Sequence, residues 1–170
     1  MLASYISLFV FVSCFYFLIL AVILRPHTIL NNVFYLFVAL LAVWSSANIF
    51  YNISTDEFFL KFWYKFAALG WCGILIAVFY LILALTDKYK NTPLVLKLSV
   101  VIYALAVYIL ILTDNGFVID IYHGKYGAVE RIDTNKLSFY MFYAGNIGAI
   151  TAGFFLICGA VKKSKSNRFR

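Results

Sequence analysis

Residues 2–24 read LASYISLFVFVSCFYFLILAVIL, an apolar run without a single charge, closed by Arg25 and Pro26. Crossing the hydrocarbon core of a bilayer takes about 20 such residues in a helix, so this run is long enough to span. A cleaved secretory leader carries its basic segment ahead of a shorter apolar core. Here the positive charge stands behind the run, which predicts a retained first helix with its N-terminus outside.

Four more runs of the same kind follow, over residues 28–50, 58–86, 94–113 and 137–161. Pro26 near the first turn and Thr28 as a cap suit the start of the second. A polar turn at residues 52–57 separates the second from the third, and Asp87, Lys88 and Lys90 stop the third. Asn91, Thr92 and Pro93 open the fourth, and residues 162–170 form a basic tail after the fifth. The 170 residues are 65% hydrophobic and only 12% charged, against roughly a quarter charged in soluble domains. A soluble globular fold is excluded, and no room is left for a soluble catalytic domain. The expected fold is all-α, a polytopic membrane bundle of five transmembrane helices forming a single domain over residues 1–170.

The net charge of +7 reads as loop charge that orients the chain in the membrane, with no nucleic-acid partner. With the N-terminus outside, nine of the fourteen cations fall inside: Arg25, Lys88, Lys90, Lys97, Lys162, Lys163, Lys165, Arg168 and Arg170. Lys61, Lys65, Lys125, Arg131 and Lys136 fall outside, and this bias obeys the positive-inside rule. Lys97 is expected to snorkel to the inner surface. Tyr51, Phe58, Phe59, Phe62, Trp63 and Tyr64, with Phe139, Tyr140, Phe142 and Tyr143, fit aromatic belts at the outer boundary.

Lipid tails are as apolar as leucine, so helices associate through close approach at small residues and through hydrogen bonds. The fifth helix carries two four-residue series, Ala144, Gly148, Ala152 and Gly145, Ala149, Gly153, with Gly159 beyond. The third offers Ala67, Gly70, Gly73 and Ala77, and the second Ala39, Ala42 and Ser46. The fifth helix is thus expected at the centre of the packing, with the second and third among its neighbours. Polar groups within the spans are few. Asn48 and Asn146 mark a candidate polar spot, or hydrogen bonds between helices.

The connection over residues 114–136 is expected on the outside as a short hairpin. Residues 117–122 have strand-like content, His123 to Lys125 supply a turn, and residues 126–132 return. Lys61 and Lys65, one turn apart, make an electropositive mouth beside it. Candidate ligand contacts are Lys61, Lys65, Tyr122, His123, Lys125 and Tyr126, with Asn48 and Asn146 deeper.

No nucleophile elbow, paired-histidine metal motif or phosphate loop is present, and no Asp or Glu lies deep in a span, where proton-coupled transporters place one. His27 and His123 fall on opposite faces, and Cys14, Cys72 and Cys158 sit in apolar runs without ligand spacing. No catalytic residue, metal or cofactor is expected.

Arg25, Asn31 and Phe34, Ala42 with Trp44, and Thr113 to Gly116 form a series of landmarks, continued by Lys125 to Gly127, Tyr140 to Tyr143 and Lys162 to Lys165. In these the chain resembles the N-terminal seven-transmembrane sensor region of bacterial histidine kinases, which also precedes cyclic-di-GMP synthases in some proteins. The resemblance implies a membrane-embedded sensory input module, with kinase activity in an output domain that these residues do not contain. That region has seven helices and five are read here, so a truncated sensor, a fragment or a free-standing five-helix relative is expected. The implied setting is the cytoplasmic membrane, with the lipid bilayer, a cytoplasmic output domain, partner helices or a second copy as partners. The alternatives are a small structural or assembly subunit of a larger membrane complex and, third, a small transporter or channel.

Overall fold

The computed structural model describes residues 2–24, 28–113, 115–124 and 127–168. Five helices, α1 (Leu2–Leu24), α2 (Ile29–Ile53), α3 (Glu57–Leu85), α4 (Leu94–Leu112) and α5 (Leu137–Arg168), are separated by few residues except between α4 and α5. There a hairpin is inserted, β1 (Val118–Gly124) and β2 (Gly127–Ile132). All five helices are long and apolar enough to cross a membrane. Their outer faces carry exposed Tyr5, Phe9, Leu36, Phe58, Val95, Ile102 and Phe154, a surface suited to lipid and not to water.

Local chemistry sets the helix ends. Thr28 caps α2 by accepting the Asn31 amide at 3.2 Å; Arg25, Pro26 and His27 lie outside the described residues. Asp56 caps α3, its Oδ1 accepting from Phe58 and Phe59 at 2.9 and 3.2 Å, with Glu57 adding negative charge at the positive end of the dipole. At the other end Asp87 takes a left-handed turn (φ 55°), and the Lys88 and Tyr89 amides donate back to the Leu83 carbonyl. This reversal delivers the chain to α4. Lys97, early in α4, sets its ammonium 4.4 Å from the centre of the Tyr89 ring, a cation–π contact.

The packing centres on α3. It lies against α2, α4, α5 and β1, whereas α2 packs mainly on α1 and α3. Ala67, Ala68, Cys72 and Ala77 of α3 and Ala47 of α2 are buried. A Cβ on Gly70 would come within 2.8 Å of the Trp44 backbone nitrogen, and one on Gly73 within 2.6 Å of Leu40. At Gly70 the approach of α3 to α2 is therefore close to the α2 backbone itself.

The expectation that the fifth helix is central is overturned. Only 6% of the α5 span is buried, against 28% for α3. Gly145 faces Tyr103 of α4 and Gly153 faces Ile82 of α3, but Gly148 and Gly159 open onto empty space. Residue spacing makes a smooth face, and only a complementary neighbour makes that face an interface. The small polar side chains of the spans likewise turn back on their own helices. Ser13, Ser45, Ser46 and Asn146 all donate to carbonyls of their own helices, as short side chains commonly do. Tyrosines join the elements instead: Tyr80 donates to the Lys97 carbonyl, and Tyr103 of α4 to the Met141 carbonyl of α5.

The hairpin is antiparallel, with Ile121 opposite Glu130 and Tyr122 opposite Val129, and an irregularity between Val118 and Asp120. β1 extends farther than the sequence suggests, so His123 and Gly124 are strand residues paired with Ala128 and Gly127, not a turn. Gly127 has φ 130°, and a Cβ there would meet Asn52 Oδ1 at 2.7 Å. Only glycine suits that conformation and that approach to α2. Phe117 and Ile121 are buried, Asp133 donates its amide to the Phe117 carbonyl at 2.7 Å, and Ser138 Oγ donates to the Asn115 carbonyl at 2.9 Å. The hairpin thus closes one end of the bundle, over the turn between α2 and α3.

Candidate functional site

Between the first turns of α3 and the hairpin lies a cavity of about 470 Å³. Phe58, Lys61, Phe62, Tyr64 and Lys65 of α3 form one wall; Ile111, Gly116 and β1 from Val118 to Ile121 form the other. These five α3 residues lie on one side of its first two turns, within about 15 Å of the helix start, so the cavity lies near the end of the bundle.

The polar groups of this cavity are distributed unevenly. Lys61 pairs with Glu57 one turn earlier. Lys65 donates to the Leu112 carbonyl at 3.1 Å, a cation at the negative end of α4. Asp120 lines the opposite wall, its Oδ1 accepting the Ile121 amide. Tyr64 is only 9% exposed, and its hydroxyl has no hydrogen-bond partner among the described residues. Close by, the Tyr51 hydroxyl donates to Glu130 Oε1 at 2.9 Å and ties α2 to β2. Desolvation raises the Glu130 carboxyl above the ordinary glutamate range, with the bond from Tyr51 pulling it partly back.

An aromatic layer supports the site. Trp71 stands edge-on to Phe142 at 4.5 Å, and Phe117 stacks on Phe142 at 5.6 Å. α3, the hairpin and α5 meet there. Aromatic pairs in such geometry are worth about 1 kcal/mol each beyond the area they bury.

Of the residues the sequence singles out, Lys61 and Lys65 share this cavity. Tyr122 and His123 stand exposed on β1 and are not part of its lining. Lys125 and Tyr126 lie outside the described residues. Asn48 is half-buried in α2, where its carbonyl accepts from Asn52, and Asn146 lies apart in α5. Asp120, Tyr51, Tyr64 and Glu130 were not foreseen as a group. The aromatic belt expected from sequence splits in two: Phe58, Phe59 and Phe62 point outward, while Tyr51 and Tyr64 turn inward beneath the hairpin. Helical phase carried that signal, since Leu60, Tyr64, Ala67 and Ala68 share one face.

Two apolar hollows lie elsewhere. One, of about 520 Å³, runs between α3, α4 and α5 past Phe79, Tyr103, Gly145 and Gly148; the other, of about 200 Å³, lies between α2, α3 and α4. Neither brings charged side chains together.

Among curated proteins and solved structures nothing matches the chain. Its residues 7–170 do match the family model described as the N-terminal 7TM region of histidine kinase. With five apolar helices of spanning length, the chain is a multi-pass membrane protein and belongs to this family of signal-transduction sensor regions, which is separate from the kinase's catalytic domain.

Proposed function

We propose that the chain is a sensory input module of the cytoplasmic membrane that binds a signal at its hairpin end and passes a helix rearrangement to the opposite, cytoplasmic end. The cavity between α3 and the hairpin carries this reading. It has the size of a small-molecule site, and it is walled by the central helix on one side and by the two-stranded cap on the other. A ligand held between them has different contacts when the cap is docked and when it is lifted. Such a difference is the only means by which binding can shift a conformational equilibrium.

The orientation follows from charge. Lys88, Lys90 and Lys97 lie at or beside the turn between α3 and α4, at the end opposite the hairpin, and an excess of Lys and Arg marks the cytoplasmic side. Six of the seven acids fall on the hairpin side. An output domain or a second copy of the chain would receive the change at the basic end. Reporter fusions test this arrangement: alkaline phosphatase inserted between Gly124 and Gly127 should be active, and a fluorescent protein after Arg170 should fold. Replacement of residues 118–132 by a short glycine–serine linker should abolish the host's response. An unchanged response overturns the reading.

The uncovered face of α5 favours a second reading, a subunit whose α5 packs against another membrane protein. Stoichiometric co-purification of such a partner in mild detergent would support it.

A further inference from the structure

We infer that the cavity between α3 and the hairpin takes an uncharged, chain-like lipophile, held between Phe58 and Phe62 on one wall and Ile119 on the other. The inference rests on the sensory reading above and names the class of signal that reading leaves open.

The charges at this cavity are already matched to one another. Lys61 is held by Glu57 and Lys65 by the Leu112 carbonyl, while Asp120 accepts the amide of Ile121. Counted with Glu57, the two ammonium groups meet two carboxylates, so the site as a whole carries no net charge. An anion gains from the lysines about what it loses to Glu57 and Asp120, and a cation faces the same balance in reverse. Either ion would still shed its water on entering, a cost that only an unmatched partner offsets. The site thus selects against guests of both signs and leaves apolar contact as the source of affinity.

The walls supply that contact, and β1 departs from regular pairing to do so. Regular pleating sends successive side chains to opposite faces, so a straight strand gives a cavity every second residue. β1 instead lines this one with Val118, Ile119, Asp120 and Ile121 in succession. Val118 pairs with Ile132 and Asp120 with Arg131, which makes Ile119 the extra residue of a bulge, and a bulge re-aims the side chains around it. Ile111 and Ile121 are buried in the lining, whereas Phe58, Phe62 and Ile119 are exposed and stand at its opening. An opening rimmed by large apolar side chains, on a helix of spanning length, admits a molecule dissolved in the bilayer. A neutral polar head such as a hydroxyl can rest beside Lys61 and Asp120 without breaking their pairing. At about 470 Å³ the cavity has small-molecule size, which suits a single free chain and not a whole phospholipid.

The test uses the full chain in phosphatidylcholine nanodiscs, with hydrogen exchange of the β1 amides as readout and exchange in α1 as the control for general effects on the bilayer. Decanol at about ten times its half-saturating concentration should slow β1 exchange about tenfold and leave α1 unchanged. Decyl sulfate and decyltrimethylammonium, which carry the same chain on fixed charges, should slow it by less than about twofold. Ile119→Asp puts a carboxylate into the apolar wall at an exposed position, and Phe62→Ala removes the facing ring. Each should abolish most of the decanol effect while exchange in α2 stays as in the parent protein. Equal or stronger protection by either ion overturns the neutral guest. So does survival of the decanol effect in a variant with unperturbed α2, matching protection of α1, or no protection by decanol up to its limit in the bilayer. The input-module reading stands or falls separately, on the hairpin replacement and the reporter fusions.

Discussion

α3 and α5 carry the same kind of sequence, small residues at helical spacing within an apolar run, and they occupy opposite positions in the packing. In α3 the small face meets α2 so closely that Gly70 lies almost against the Trp44 backbone. In α5 much of that face meets nothing, and Gly148 borders the open hollow beside α4. A bilayer solvates both helices equally well, so apolarity does not choose between them; the shape of the neighbour does. α2 offers Trp44 and Leu40, whose side chains sit where the α3 glycines leave room. No facing helix offers the equivalent to Gly148.

The largest break in this contrast is expected at Gly70. A methyl group there must displace the Trp44 Cβ and backbone, at 2.6 to 2.9 Å, and backbone cannot swing aside as a side-chain tip can. Gly70→Ala should cost about 3 kcal/mol, the upper end for overpacking, even though alanine is the better helix former. Reversible unfolding in mixed micelles measures it. A cost below about 0.5 kcal/mol would show that α2 and α3 are not held at this distance.

Next in size is the latch between α2 and the hairpin. Tyr51→Phe keeps the ring and removes the bond to Glu130, at an expected cost of about 1.5 kcal/mol for a bond to a charged partner. The loss should appear in exchange of the hairpin amides before it appears in the helices. Glu130 adds a pH dependence of known sign. Its carboxyl is raised by desolvation, so the docked hairpin binds the proton more readily than the free one. Docking is therefore strongest below the ordinary glutamate range and weakens as pH rises through the raised value. Glu130→Gln should flatten this slope, and Tyr51→Phe should move it to higher pH by removing the bond that favours the charged form. A hairpin whose protection grows with pH across that range would contradict this placement of the carboxyl. The Tyr103 hydroxyl, donating to the Met141 carbonyl, is a smaller tie between α4 and α5. Tyr103→Phe should cost about 0.6 kcal/mol, the average for such bonds in membrane helices, read in the same unfolding assay.

The sequence made the five apolar helices legible because a bilayer demands long uninterrupted apolar runs, and these have no competing interpretation. The hairpin was legible from the β-branched and aromatic residues around Ile121, but His123 and Gly124, expected in its turn, continue the β1 pairing. The candidate site was legible only in Lys61 and Lys65, whose spacing put them together on α3. Asp120 and Glu130 come from a strand pair whose inward and outward faces depend on register, and a one-residue error exchanges them. Tyr51 and Tyr64 have the composition of interfacial residues, and only their phase relative to Leu60 and Ala68 separates them from Phe58 and Phe62. The peripheral position of α5 was hidden for a more general reason. A small-residue face records what a helix can accommodate, and its partner is encoded on another helix.

The smallest expected effect is the most informative about α5. Gly148→Ala adds a methyl group where nothing lies within 4 Å, so the stability of the chain alone should change by less than about 0.5 kcal/mol, as for an unconstrained surface substitution. Gly148→Leu should behave similarly, because the hollow beside it has about 520 Å³ to receive the side chain. The result separates two meanings of the glycine. If both variants are neutral in the isolated chain yet abolish the host's response, the face is reserved for a helix outside this bundle, and the contrast between α3 and α5 becomes one between an internal and an external interface. If both variants are neutral in stability and in response, the face of α5 is lipid-facing and its glycine spacing carries no packing role. A large loss of stability from either variant would mean that α5 closes onto its neighbours in the membrane, and the contrast with α3 would disappear.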